Sequence, residues 1–141
     1  MGGMNDIVEL PDGATVEFLL DDIMRGTIPP GGTVPLHSHA DPETFLMIEG
    51  EIEGFTAGGW AALRPGGARH VPGHVKHAWR NHGDGPAVMF LVTTPVIGRF
   101  FREVAAAPED FLAISDRYGY WNATPEENAA VGITVPAPAR P

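Results

Sequence analysis

The sequence predicts an all-β fold, an antiparallel sandwich or barrel, closed by short C-terminal helices. Glycine (18) and proline (14) together reach about twice their usual share of a 141-residue chain, which means many turns in a short length. Between those turns lie short apolar segments at roughly eight-to-twelve-residue spacing, the rhythm of strands in a sandwich or barrel. Beyond about residue 97 the punctuation changes to helix-start signals.

Val16–Leu20 and Met24–Thr27 open the series of strands, and Thr33–Ser38 follows a Gly31-Gly32 turn. Phe45–Glu51 is the clearest strand, apolar and closed by Gly50 and then Gly54. Glu49, Glu51 and Glu53 alternate and read as the solvated face of one strand. Trp60–Leu63, Ala68–Val71 and His77–Asn81 are short strands between Gly/Pro turns, and Val88–Thr93 is continuously apolar, as a strand buried on both faces would be. Ile97–Val104 reads as one or two helical turns, and Pro108–Tyr118 begins with Pro-Glu-Asp, residues suited to a helix N-terminus. Thr124-Pro125-Glu126-Glu127 is a capping box with proline in the first turn. Val135–Pro141 alternates proline with small residues and reads as an extended or disordered tail. The chain divides into a β-domain over 1–96 and a helical extension with a Pro-rich tail over 97–141, packed on the same domain.

Bulk properties remove several functions. The net charge of −9 leaves no basic stripe to meet a nucleic-acid backbone. There is no cysteine, hence no disulfide framework, thiolate metal site or thiol nucleophile. The N-terminal Met1–Asp6 lacks the pattern of a signal peptide, and Asp6 stands where a myristoylation motif needs Ser or Thr. Ala87–Gly98 is too short to span a bilayer. The expectation is a soluble, cytoplasmic protein with no membrane partner.

The chemistry-bearing residues are His37, His39, Glu43 and His77. Residues i and i+2 of a strand share a face, so His37 and His39 project together. Glu43 follows a short Ala-Asp-Pro turn, with Phe45 and Met47 on its face, and Trp79 and Asn81 share the face of His77. Three imidazoles and a carboxylate suit a divalent first-row metal. His70, His74 and His82 fall at turns or strand ends and read as solvated or backbone-bonded.

Gly31, five residues, His37-x-His39, three residues, Glu43, six residues, Gly50 reproduces the first motif of the cupin superfamily. Gly66, five residues, Pro72, then His77, three residues and Asn81 resembles the second, with His74 where the family usually has glycine. Either Gly73 takes the unusual backbone angle there or His74 adopts a positive φ. The resemblance covers about residues 15–95. It implies a cupin jelly-roll barrel, a metal (Fe, Mn, Ni, Co, Cu or Zn) held by His37, His39, Glu43 and His77, and a homodimer whose interface no motif locates.

A 3-His/1-Glu site leaves one or two positions open, and its net charge of about +1 favours an enolate or phenolate oxygen. Glu43 then has two roles, ligand and base toward the binding hydroxyl. Phe45, Met47, Trp79 and Phe90 are the expected pocket wall, which favours a flat hydrophobic substrate. The nearest cations, Arg64, Arg69, Lys76 and Arg80, form no cluster for a phosphorylated one. Trp60, Tyr118, Tyr120 and Trp121 are placed to close the mouth, with plain packing as their default role. The leading expectation is a dioxygenase resembling quercetin 2,3-dioxygenase-like cupins, with dioxygen as second substrate. The alternatives are a redox-neutral zinc-dependent cyclase or isomerase, such as a small aromatic polyketide cyclase, and a non-catalytic ligand-binding module. No helix-turn-helix accompanies the motifs, which weakens a regulator reading.

Overall fold

A computed structural model describes residues 6–135. The strands are β1 (Ile7–Glu9), β2 (Thr15–Phe18), β3 (Ile23–Ile28), β4 (Thr33–Ser38), β5 (Glu43–Glu49), β6 (Ile52–Thr56), β7 (Gly59–Leu63), β8 (Ala68–Val71), β9 (His77–Arg80), β10 (Ala87–Val92) and β11 (Trp121–Asn122). They form two antiparallel sheets, one of six strands in the order β1-β2-β3-β10-β5-β8 and one of five in the order β11-β4-β9-β6-β7. This is the expected jelly-roll sandwich. Its core lies between the sheets and draws Val16, Phe18, Met24, Phe45, Met47, Met89 and Leu91 from the first and Ile52, Leu63 and Trp79 from the second. Gly54 belongs to this packing: a Cβ there would come within 2.5 Å of the Trp79 ring.

Three helices follow: α1 (Pro95–Ala106), α2 (Phe111–Arg117), entered through a 3-10 turn at Pro108–Asp110, and α3 (Pro125–Ala130). The capping box is present in full, Thr124 accepting from Glu127 N–H and Glu127 from Thr124 N–H. α1 is longer than the one or two turns expected. Its Ile97 is fully buried in the barrel core, while Phe100 and Val104 form a second cluster with Ile114. Among the described residues no helix is long and apolar enough to cross a membrane.

Two readings need correction. Glu49, Glu51 and Glu53 do not share a strand: Gly50, at φ 73°, turns the chain between β5 and β6. Glu51 instead pairs with Arg64 at 2.9 Å, and Glu53 with Arg80 at 3.3 Å. Nor is Val88–Thr93 buried on both faces. Met89 and Leu91 point into the core, whereas Val88 and Phe90 are half-buried and Val92 is exposed. The expected tail over Val135–Pro141 lies outside the described residues beyond Val135, as does the N-terminal pattern up to Asn5.

Candidate metal centre

β4 pairs with β9 so that His37 stands opposite His77. Glu43 opens β5 in the other sheet, and Leu91↔Phe45 pairing with β10 fixes that strand's inward face. The two sheets thus present His37, His39, Glu43 and His77 to one point, with one ligand atom from each residue within 4.8 Å of the others. The His37 and His77 rings are 4.2 Å apart and those of His39 and His77 5.0 Å. His39, Glu43 and His77 are buried.

Backbone carbonyls set the imidazoles. His37 Nδ1 donates to the Pro35 carbonyl at 2.7 Å, His39 Nδ1 to that of Asp41 at 2.7 Å and His77 Nδ1 to that of Val75 at 2.8 Å. A carbonyl only accepts, so Nδ1 carries the proton in each ring and Nε2 faces the centre, the arrangement that orients imidazole ligands. His39 Nε2 lies 2.5 Å from Glu43 Oε1. His77 Nε2 is 3.4 Å from the same oxygen, without the alignment of a hydrogen bond, and is left buried without a partner. A buried, unpartnered nitrogen aimed at three other donor atoms is the feature a metal ion satisfies. The four residues fit a divalent ion.

The electrostatics agree. Burial, reinforced by the neighbouring His77 ring, drives His37 down to about 3, so it is neutral at pH 7. Burial alone would raise Glu43, but the facing His39 and His77 rings outweigh it and hold the carboxyl at about 2. Burial opposes protonation of His39, yet its hydrogen bond to Glu43 carries the balance upward. The group is a permanent carboxylate ringed by imidazoles.

A cavity of about 660 Å³ opens from this group, lined by Phe45, Trp79, Met89 and Leu91 and roofed by Phe100, Val104 and Tyr120. Among the described residues no lysine or arginine lines it. Of the expected wall, Phe45 and Trp79 line the cavity, their rings 4.4 Å apart. Met47 is buried in the core, one inward position farther from Glu43, outside the lining. Phe90 is a correction: it pairs with Leu46 and Arg25 on the outer face, with the Arg25 guanidinium 5.6 Å from its ring. The inward residues of that strand are its neighbours, Met89 and Leu91.

Tyr120 is the neighbour for which packing was the default reading. Its ring stacks on Phe100 at 3.9 Å and lies 4.7 Å from that of His39. Burial, with the Glu43 and Asp41 carboxylates nearby, raises its pKa, so the phenol stays protonated. The signal was weak in sequence because Tyr120 reaches the site only through β11, where Trp121 and Asn122 pair with Ser38 and His37. Trp60 and Trp121 lie instead on the outer side of the five-stranded sheet. His70 points outward and bonds Thr44 Oγ1 at 2.9 Å, and His82 is exposed beside Glu53. His74 itself takes the positive angle, φ 66°, and Gly73 serves a close approach instead: a Cβ there would meet the Ala40 carbonyl at 2.3 Å.

The comparisons agree with this picture. The polyketide cyclase RemF from Streptomyces resistomycificus superposes with a TM-score of 0.57 at 17% identity, over 66% of this chain and 78% of that one. A predicted oxalate decarboxylase from Thermotoga maritima gives 0.54 at 20% identity, over 64% and 90%. Drosophila melanogaster CENP-C, in its structure bound to CAL1, gives 0.57 at 16% identity, over 64% and 80%. At such identities the likeness is one of fold. No curated protein matches the chain. Residues 24–93 match the cupin domain model, a span that holds both motifs and all four donor residues, and with the likeness of fold this supports the cupin superfamily.

Proposed function

We propose that this chain is a metal-dependent cupin enzyme acting on a neutral, flat, largely apolar substrate through an enol or phenol oxygen, with dioxygenation as the leading reaction. The observation that carries the reading is the cavity wall: aromatic and aliphatic side chains reach the His37/His39/Glu43/His77 group, with no lysine or arginine among the described residues that line it. A phosphorylated or multiply carboxylated substrate would bury its charge there without a partner, at a cost of several kcal/mol. A flavonol- or diketone-like compound brings only one ionisable oxygen.

A divalent metal held by His37, His39, Glu43 and His77 would supply Lewis acidity and, if redox-capable, a means to engage dioxygen. The protein's own residues do the rest. Phe45 and Trp79 fix the plane of the substrate, and Tyr120 covers the side of His39. Glu43, held near 2, is a ligand first. It accepts a proton only from a hydroxyl that is itself strongly acidified.

Tyr120 favours a second reading. A phenol kept protonated beside His39 can donate to an enolate carbon or oxygen, as a redox-neutral cyclase or isomerase requires. The likeness of fold to the polyketide cyclase RemF is compatible with that chemistry.

Oxygen uptake separates the readings. Protein reconstituted with Fe, Mn, Co, Ni, Cu or Zn is offered flavonols, β-diketones and phenolic polyketide mimics, with His77→Ala as control. Uptake that requires substrate and a redox-capable metal is the expected result. Conversion without uptake, zinc included, selects the redox-neutral reading, and binding without conversion selects a ligand-binding module.

A further inference from the structure

One glycine of the six-stranded sheet answers to no requirement of the fold. Gly26 lies inside β3 between Met24 and Ile28, both buried, and shares their inward face. Its φ is not positive, and a Cβ there would meet only Met89 Cγ at 3.8 Å, an ordinary contact. Gly54, in the interior of β6, is by contrast held to its size by the Trp79 ring. A glycine weakens a strand and packs nothing. Where neither a turn nor a neighbour requires one, it marks a place where a ligand comes close to the backbone. Gly26 lines the same cavity as the donor group. The pairings Gly26↔Met89 and Met89↔Met47 put it two strands over from Glu43 and four residues along, roughly 16 Å away. A single ring bound to an ion at the donor group does not reach that far.

Asp12 lies toward the same end of the cavity, in the turn before β2, whose Val16 pairs with Gly26. Apart from Glu43 it is the only carboxylate among the described residues that line the cavity. Its Oδ1 accepts from Ala14 N–H at 3.0 Å, and among the described residues no other residue hydrogen-bonds its carboxylate. Burial lifts its pKa above the ordinary aspartate range, outweighing the Ala14 N–H that lowers it. A half-buried carboxylate with no lysine or arginine in the surrounding wall is satisfied by a hydroxyl that donates to it.

We propose that the space over Gly26 is a second subsite, which takes the distal ring of the substrate and binds a hydroxyl on that ring through Asp12. The subsite presupposes the metal end of the proposed function and narrows its substrate class. The compound carries an enol or phenol oxygen at one end and a hydroxylated ring at the other. Gly26 sets the length that is admitted, and Asp12 the polarity of the far end.

The test is calorimetric titration of zinc-loaded protein, in which the probes undergo no redox turnover. The probes are acetylacetone, which occupies only the metal end, the parent flavonol, and flavonol with one hydroxyl on its phenyl ring. The hydroxylated flavonol is expected to bind about tenfold more tightly than the parent, the worth of one hydrogen bond to a carboxylate. Asp12→Asn keeps an oxygen for Ala14 N–H but loses the charge, and the preference falls to about twofold or less. Gly26→Leu fills the subsite and weakens both flavonols at least about tenfold more than it weakens acetylacetone. If the leucine variant fails to fold, Gly26→Ala replaces it. That variant unfolds at or above the urea concentration of the wild type, because its Cβ meets open space, and it still loses more affinity for the flavonols than for acetylacetone. Equal affinity of the wild type for both flavonols, or a preference that survives Asp12→Asn, overturns the proposal. So does a Gly26→Ala protein less stable than the wild type, in which the glycine would be serving the fold. Acetylacetone separates the two levels: its failure to bind refutes the metal end, whereas its binding without that of the flavonols refutes the subsite alone.

Discussion

Among the described residues the five-stranded sheet is backed on its outer face by Trp121, Val131 and Ile133 while the six-stranded sheet is bare, and the two divide the labour of the site unequally. The backed sheet supplies three of the four donor side chains, counting His39 just past the end of β4. The bare sheet supplies Glu43 and most of the apolar wall. Rigidity is invested where the ligands need it. β11 pairs alongside His37, and Asn128 Oδ1 accepts from Leu36 N–H at 2.9 Å, the residue before His37 in the ligand strand. The C-terminal helices therefore belong to the construction of the candidate metal centre as well as to the roof of its cavity.

The largest effect that would sharpen the contrast is on metal binding. His77→Ala, on the backed sheet, removes a donor that nothing else replaces. The affinity for a divalent metal falls at least about 100-fold, since even an outer-shell partner of a ligand is worth 10–100-fold. Phe90→Ala, on the bare face, leaves it unchanged. Titration calorimetry with Zn and Mn checks both. Stoichiometric metal at wild-type affinity in His77→Ala would break the assignment.

Next is Asn128→Ala, which detaches the backing. Asn128 is 1% exposed; it accepts from Leu36 and donates to the Ala123 and Thr124 carbonyls at 3.3 and 3.0 Å. Truncation strands the buried Leu36 N–H and takes the amide donor from the Ala123 carbonyl, while the Thr124 carbonyl keeps the Asn128 backbone N–H, a loss of about 2 kcal/mol in urea unfolding. The same variant weakens metal binding, because β4 loses its fixed edge one residue before a ligand. A loss of stability with metal affinity untouched would show that the segment only covers the sheet.

pH gives the third effect, in metal-free protein. Folding lowers His37 from 6.5 to about 3, so between those values the unfolded chain holds a proton that the native one lacks. Stability then falls as pH drops, by about 2 kcal/mol from pH 6.5 to 4.5. Glu43, lowered from 4.5 to about 2, adds its loss below pH 4.5. His39 is raised, so its contribution has the opposite sign: present in full below 6.5, it disappears as pH rises through the folded value. His37→Gln removes the slope between pH 6.5 and 4.5, which chemical denaturation at three pH values reads directly. An equal slope in the variant would place the buried proton acceptor elsewhere.

Much of this was legible in the sequence where the determinant is local. The i, i+2 spacing of His37 and His39 fixes a shared face, and Gly/Pro turns mark most strand ends. β6 was obscured by Glu51, Glu53 and Gly54, because its inward packing depends on Trp79 of another strand. β11 is two residues long and exists only by pairing with β4. The side taken by Phe90 follows from register with β5, which a run of apolar residues does not encode. Tyr120 reaches His39 across some eighty residues of sequence, and the chain's spacing motifs end well before it.

The smallest effect lies in the connection that carries the chain from the bare sheet to the backed one, between β8 and β9. His74 holds φ 66° there, its N–H donating to the His39 carbonyl at 2.7 Å, so the turn is tied to a ligand residue. A non-glycine residue in the left-handed region costs about 1 kcal/mol. His74→Gly relieves that strain but frees the unfolded chain by a similar amount, about 0.5–1 kcal/mol. The two nearly cancel, so the variant stays within about 0.5 kcal/mol of wild type and binds metal normally. His74→Val is different: a β-branched side chain does not tolerate that angle. It loses about 2 kcal/mol, shifts His39 through the shared hydrogen bond, and weakens the metal with it. Equal behaviour of the two variants in unfolding and metal titration would mean that the turn relaxes freely and that the two sheets meet the metal independently.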